Sequence, residues 1–327
     1  MKEKVMITGA SGFLGFHLIE AALNKGLEVH AAIRKNSNVT HLKNKPVTFT
    51  YLDLGNIESL QQNIEANQYH YIIHAAGTTK ANSEQDYNTV NATYTFNLAK
   101  AADQSQKPIK KFVFISSLAA AGPLQNFDTN ITENSQPGPV TSYGRSKLLA
   151  EEKLETLSIP SVILRPTAVY GPRDKDILVI FKSIKNGIEP YIGTRNQQLS
   201  FVYAKDVASI TIDALFSGQT GVYNISDGNC YTRYALADCL KRLMKTKTIR
   251  FHLPKTLVKA IAISLETTSR FMNKMPLLNK EKINEIVAVN WVCNIDKARK
   301  ELGYKPVYDL ETGLKETLDW YKVNKWI

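Results

Sequence analysis

The sequence predicts an α/β protein: a doubly wound parallel sheet followed by a smaller, mostly helical C-terminal part. Three observations carry this expectation. Short apolar runs alternate with helix-length stretches through the first half, a strand runs straight into a glycine-rich turn at the start, and the rhythm changes after Pro166. Strands separated by helices build βαβ units, and right-handed crossovers between them give a parallel sheet covered on both faces.

The expected strands run from Val5 to Thr8, Glu28 to Ile33, Val47 to Leu52, Tyr71 to His74, Lys111 to Ser116 and Ser161 to Arg165. Helical stretches lie between them, among them Gly12 to Lys25, Asn88 to Asp103 and Tyr143 to Leu157. Residues 166–200 are rich in glycine and proline and hold one apolar helix near Ile177 to Ile184. A short strand, Phe201 to Tyr203, precedes a helix from Asp206 to Phe216, and residues 230–327 are rich in helix. We therefore expect residues 1–165 to form the first domain, with about 201–225 returning to it. Residues 166–200 and 226–327 are expected to form a cap that binds substrate.

The chain has 327 residues, 43% hydrophobic and 22% charged, with a net charge of +11. This is the profile of a globular protein, and it excludes extended disorder. Three cysteines without metal-ligand or CxxC spacing fit a reducing compartment. No secretory segment is visible at the start, so the expected location is cytoplasmic. The basic residues are mostly scattered, which does not suggest nucleic acid. The one local cluster, Lys241 to Lys259, reads as a solvated helix face and loop, with peripheral contact to an anionic membrane surface as the alternative.

The opening strand leads into Gly9-Ala10-Ser11-Gly12-Phe13-Leu14-Gly15, with glycines in GxxGxxG spacing. Gly9 permits a sharp turn off the strand, Gly12 lets a pyrophosphate approach the backbone, and Gly15 lets the helix sit close to the sheet. The helix N-terminus then offers free N–H groups to phosphate. The context is that of a Rossmann-type dinucleotide site. The second strand ends in Ile33-Arg34-Lys35 with no carboxylate. An acid there would bind a ribose 2′-hydroxyl and repel a 2′-phosphate, whereas a guanidinium binds the phosphate. The expected cofactor is NADP(H), with Ser37 or Asn38 as a further hydrogen-bond partner. Asp53 is a candidate acceptor for the adenine amino group, or a helix cap.

Tyr143-Gly144-Arg145-Ser146-Lys147 sets a phenol and an amine four residues apart, on one helix face. An ammonium beside the phenol, with the positive charge of an oxidised nicotinamide, is expected to lower its pKa and make it an acid–base group. Ser117, 26 residues before Tyr143 at the end of a strand, is placed to bind the same substrate oxygen.

With these pieces together, the sequence resembles the extended short-chain dehydrogenase/reductases, also called the NAD(P)-dependent epimerase/dehydratase family. The matching segments include Thr8 to Gly15, Asp53-Leu54, His74 to Gly77, Val90-Asn91, Ser116-Ser117, Tyr143 to Lys147, Arg165-Pro166, Val169 to Arg173, and Phe201 to Tyr203 with Asp206-Val207. The resemblance implies that Ser117, Tyr143 and Lys147 are catalytic, with Lys147 also on the nicotinamide ribose. It implies that Ala75, Ala76, Gly77 and Thr78 run along the cofactor with Leu54 near it, and that Pro166 lies near the carboxamide. It also implies a homodimer through the Asn88 and Tyr143 helices. Arg34 follows the dihydroflavonol-reductase-like branch. The cap loosely resembles the 3β-hydroxysteroid dehydrogenase-like reductases.

The sequence departs from that pattern in two places. Ser117 is followed by Leu118-Ala119-Ala120-Ala121, without the acid that dehydration needs. Leu199 stands where sugar-nucleotide epimerases carry a diphosphate-binding arginine, although Arg195 is close. Leu257, Val258, Ile261, Ala262 and Leu265, then Phe271 and Met272, give the cap an apolar stripe, read as core, as a pocket wall or as an interfacial helix. The expected function is hydride transfer at a secondary alcohol or ketone of a small, apolar molecule. The alternatives are a nucleoside-diphosphate-sugar epimerase and a non-catalytic NADP-binding subunit. No metal site is expected.

Overall fold

The computed structural model describes residues 2–260 and 280–327. Its main sheet holds seven parallel strands in the order β11-β6-β5-β4-β1-β2-β3. They are β1 (Lys4–Thr8), β2 (Glu28–Ile33), β3 (Val47–Tyr51), β4 (Tyr71–His74), β5 (Lys111–Ile115), β6 (Ser161–Pro166) and β11 (Gly221–Ile225). The inner strands are buried on both faces, as their unbroken apolar runs require.

Helices cover both faces: α1 (Phe13–Asn24), α2 (Ile57–Asn67), α3 (Glu84–Tyr87), α4 (Tyr94–Asp103) and α5 (Ser142–Glu155). A π-helical turn, Asn88–Thr93, joins α3 to α4. The stretch expected as one helix from Asn88 to Asp103 is therefore helical throughout but underwound at its start. One face is sealed mainly by α1 and α7 (Ala204–Phe216), the other by α2, α4 and α5.

The cap is built from short pieces. β7 (Ala168–Tyr170) pairs with β10 (Phe201–Tyr203), β8 (Ile188–Ile192) with β13 (Ile249–Leu253), and β9 (Gln198–Leu199) with β12 (Tyr231–Thr232). Helices α6 (Lys175–Lys185) and α8 (Ala235–Met244), with the later helix Leu310–Val323, enclose a second core around Tyr170, Phe181, Tyr203 and Tyr321. The helices Lys280–Ile286 and Asp296–Leu302 follow the described part of the cap.

Of the apolar stripe, Val258 is buried against Ile283, and Leu257 is exposed. Ile261, Ala262, Leu265, Phe271 and Met272 lie outside the described residues. No helix among the described residues is long and apolar enough to cross a membrane.

The basic stretch is less free than its sequence suggests. Lys241 and Arg250 both pair with Glu189 and Asp238, and Arg242 pairs with Glu311. All three acids lie outside the stretch; folding pairs Lys241, Arg242 and Arg250, while among the described residues Lys245, Lys247, Lys255 and Lys259 form no ion pair.

Candidate active site

The strand order reverses between β1 and β4, and a crevice opens beyond the carboxyl ends of those strands. There the chain leaves β1 at Gly9 with φ +68, and a Cβ on Gly9 would stand 2.6 Å from the carbonyl oxygen of Ala75. Only glycine fits both the left-handed backbone and the close approach. The Gly12 amide donates to the Gly9 carbonyl at 2.9 Å and closes the turn. Gly12 caps α1 with no side-chain partner, and the first turn carries no acid. Its N–H groups are thus available to an anion. A Cβ on Gly15 would stand 2.2 Å from the Gly9 carbonyl oxygen, so the helix rests directly on the turn.

The crevice is about 580 Å³. Gly9, Ser11 and Gly12 form its floor, and Ala75, Ala76, Gly77 and Thr78 form one wall. Leu52, Leu54, Arg34 and Ser37 lie at the end beyond β2 and β3. This is the outline a dinucleotide needs: a cradle that a Cβ would fill, open amides, and a cation with no carboxylate beside it. The Arg34 amide is held by Ser37 Oγ at 3.1 Å. Phe13, Leu14, Gly15, Lys35, Asp53, Tyr143, Lys147 and Pro166 do not line the crevice. Gly15 acts through packing, and Pro166 is buried in β6 beside Ile225. One carboxylate oxygen of Asp53 accepts the Gly55 amide at 2.9 Å, and Asn56, not Asp53, caps α2.

Buried polar groups hold the wall in place. Thr8 Oγ1 accepts the Ala76 amide at 3.1 Å and bonds His74 Nδ1 at 2.8 Å, and His74 Nε2 bonds Thr95 Oγ1 at 2.9 Å. Complete burial pushes the His74 imidazole down to about 3, so it is neutral. Asn91, in the π-helical turn, accepts the Thr78 amide at 2.8 Å and donates to the Thr78 carbonyl at 3.0 Å. The same side-chain amide donates to Ser146 Oγ at 2.9 Å, which ties the wall to α5.

Helix α5 starts at Thr141, whose hydroxyl accepts the Gly144 amide at 3.0 Å. A Cβ on Gly144 would meet the Ala119 carbonyl oxygen at 2.4 Å. That glycine lets the helix press against the turn after Ser117, which brings Tyr143 into the neighbourhood of the Ser117 hydroxyl. One turn on, Lys147 is buried. Its Nζ donates to the Ile115 carbonyl at 2.7 Å and lies 4.2 Å from the Phe114 ring centre. A turn further, the buried Glu151 carboxylate accepts Arg165 Nε at 3.0 and 3.1 Å and binds Ser116 Oγ.

Burial pushes the Tyr143 phenol up to about 12, and the nearby Ser117 hydroxyl only partly opposes it. Burial also pushes the Lys147 ammonium down to about 7, against the attraction of Glu151. Lys147 Nζ faces the Ile115 carbonyl, and the loosening of the phenol expected from the sequence also calls on the positive charge of an oxidised nicotinamide.

The cap closes over α5 through charges that local sequence does not reveal. Arg145 donates to Glu84 at 2.8 Å and to Glu281 of the helix Lys280–Ile286 at 2.7 Å. Glu281 also accepts the Ser142 amide at 2.6 Å. Beside this clasp, a second cleft of about 400 Å³ is lined by Pro123, Val140, Val287, Ala288 and Val289, with Gln125, Arg195, Lys255 and Asn284 among them. Among the described residues, no group of three His, Cys, Asp or Glu side chains could hold a metal ion.

Comparison with known proteins agrees with this layout. The chain is 27% identical over 347 residues to the decarboxylating sterol-4-alpha-carboxylate 3-dehydrogenase of Candida albicans, covering 97% of each. It is 24% identical over 326 residues to the ceramide reductase of Caulobacter vibrioides, covering 99% of this chain and 96% of that one. The crystal structure of UDP-glucose 4-epimerase from Thermotoga maritima superposes with a TM-score of 0.81 at 21% identity, over 98% of this chain and 99% of that one, and shows the same fold. The sequence profile described as the NAD dependent epimerase/dehydratase family matches residues 5–226. The chain is a member of that family, within the extended short-chain dehydrogenase/reductases, and its chemistry is that of the family's oxidoreductases and epimerases.

Proposed function

We propose that the protein is an NADP(H)-dependent oxidoreductase acting at a secondary alcohol or ketone of a small, apolar molecule. The observation that carries this reading is the gathering of Ser117 and Tyr143 where α5 presses on the turn after β5, one helical turn from the buried Lys147. A bound nicotinamide dinucleotide supplies or accepts the hydride. Ser117 Oγ donates a hydrogen bond to the substrate oxygen and Tyr143 Oη exchanges a proton with it. A phenol held up to about 12 is protonated at neutral pH. It can therefore give a proton to a carbonyl oxygen. Lys147 Nζ, fixed on the Ile115 carbonyl, sits between Tyr143 and the wall at Gly77.

Preference for the 2′-phosphate rests on Arg34 and Ser37 at the crevice end. An apolar substrate fits the valine-, alanine- and proline-walled second cleft. The names of the ceramide reductase and the sterol dehydrogenase point to lipid-like carbonyl compounds. We also place the protein in the cytoplasm as a homodimer through α4 and α5.

The test is reduction of a panel of lipid-like ketones, followed at the nicotinamide absorbance. Tyr143→Phe is expected to abolish turnover and leave NADPH binding intact. Full turnover in that variant would overturn the assignment.

Arg195 and Lys255 in the second cleft favour one other reading, an epimerase with a diphosphate held there. It requires UDP-sugars to raise the melting temperature and oxidised dinucleotide to stay bound through purification.

A further inference from the structure

The two-stranded sheet of β8 and β13 is built inside out. The parallel register sets Glu189 beside Arg250 and Tyr191 beside His252 on one face, and Ile188 beside Ile249 and Pro190 beside Phe251 on the other. The polar face turns inward at Glu189, Tyr191 and His252, with Arg250 at its rim. Glu189 is 2% exposed, and it takes hydrogen bonds from Lys241 at 3.0 Å, Thr248 at 2.7 Å, Arg250 at 2.7 Å and Tyr191 at 2.9 Å. The apolar face is the open one, with Ile249 76% exposed, Ile188 46% and Phe251 38%. On α6, Ser183 Oγ bonds the Ile188 carbonyl at 2.7 Å. Val179 and Ile180, a turn earlier on that side, are also exposed and lengthen the strip. Water does not favour such an arrangement, and a continuous open strip of this kind marks a contact surface.

Charge identifies the contact. Lys185 and Lys247 flank the strip where β8 and β13 begin, and Lys255 and Lys259 follow its other end. Among the described residues, none of the four has an ion-pair partner. The strip is open rather than grooved, and its outward residues offer no hydrogen-bonding side chain. A second copy of the chain would set lysine against lysine about a twofold axis. An anionic bilayer satisfies both features, because its headgroups take the lysines and its acyl boundary takes the apolar side chains.

We propose that the outer face of the β8–β13 sheet is a docking surface for an anionic lipid membrane. This is independent of the reaction assigned above.

The experiment is co-sedimentation of the full chain with vesicles of phosphatidylcholine, with or without a third of phosphatidylglycerol, at low salt. The wild type is expected to pellet with the anionic vesicles only. Ile249→Asp with Phe251→Asp is expected to cut the bound fraction by about tenfold. Val307→Asp with Val323→Asp adds the same charge at sites 79% and 81% exposed elsewhere, and is expected to bind like the wild type. Ile249→Ser with Phe251→Ser replaces the aspartate pair if that protein does not fold. Three results would overturn the proposal. They are a wild type left in the supernatant, an equal fall for both aspartate pairs, or a loss of binding that sedimentation velocity traces to breaking of a dimer.

Discussion

The two clefts beside α5 are made in opposite ways. The crevice at the ends of β1 and β4 is framed largely by backbone, with glycines at 9, 12 and 15 and the stretch Ala75 to Thr78, contributed by short continuous segments. The cleft under the cap is framed by side chains from segments near residues 123, 140, 195, 255 and 284–289. The first is a general holder for a molecule whose shape does not vary. The second is gathered from segments spread between residues 123 and 289, where substitution need not disturb the sheet. The difference teaches where cofactor and substrate determinants reside, and variants at each cleft test it.

The largest expected effect belongs to the residue between the two clefts. Tyr143→Phe should lower kcat by about 10²–10⁴-fold with dinucleotide affinity unchanged. Measured separately, turnover and NADPH titration should part company. If both fall together, Tyr143 is part of the holder and not of the chemistry.

Gly15→Ala should damage the holder alone. A Cβ 2.2 Å from the Gly9 carbonyl oxygen forces the helix off the turn, at a cost of about 1–3 kcal/mol in denaturant unfolding. Unaltered stability and NADPH affinity would show that the backbone contact is not what shapes the crevice.

Arg34→Asp should invert cofactor choice, changing the NADPH-to-NADH ratio of kcat/KM by about 10–100-fold. Activity with NADH at saturation should stay close to normal. An unchanged ratio would remove Arg34 from recognition of the 2′-phosphate.

Lys147 gives a pH signature. Its ammonium ordinarily titrates at 10.5 and is pushed down to about 7 by burial. Between those values the unfolded chain keeps a proton that the folded chain has released, so stability rises with pH across that window and the slope vanishes below it. Thermal unfolding of the dinucleotide-free protein, followed from pH 6 to about pH 9.5, should show the rise. Lys147→Met should flatten it, and a variant that keeps the slope would assign it to another group.

Glu281→Gln is the mildest test, and it reports on the cap. Its pair with Arg145 is partly exposed, so about 1 kcal/mol or less is at stake. The expected result is a severalfold rise in KM for the ketone with little change in kcat or NADPH affinity.

How much of this the sequence disclosed follows the same division. The first six strands of the main sheet, the glycine turn and the Tyr143–Lys147 face were legible because each is set by neighbours within a few residues. The π-helical turn at Asn88–Thr93 was not, since six residues are too few for their apolar pattern to separate a π turn from an α turn. Nor was the role of Asn91, which depends on meeting Thr78 and Ser146 in space. The Arg145–Glu281 clasp joins residues 136 apart, and no local pattern encodes it. Spacing likewise puts an amine one turn from Tyr143, and only packing reveals that this amine faces the Ile115 carbonyl.

The placement of β11 has a consequence for synthesis. Its residues complete the main sheet beside β6, yet they lie at Gly221–Ile225. A nascent chain halted at residue 200 would hold β6 with one whole edge unpaired, exposing Val162, Ile163 and Leu164 as a template for association. Trimming the protein to its glycine-turn half would therefore yield a sticky fragment and not a minimal dinucleotide binder.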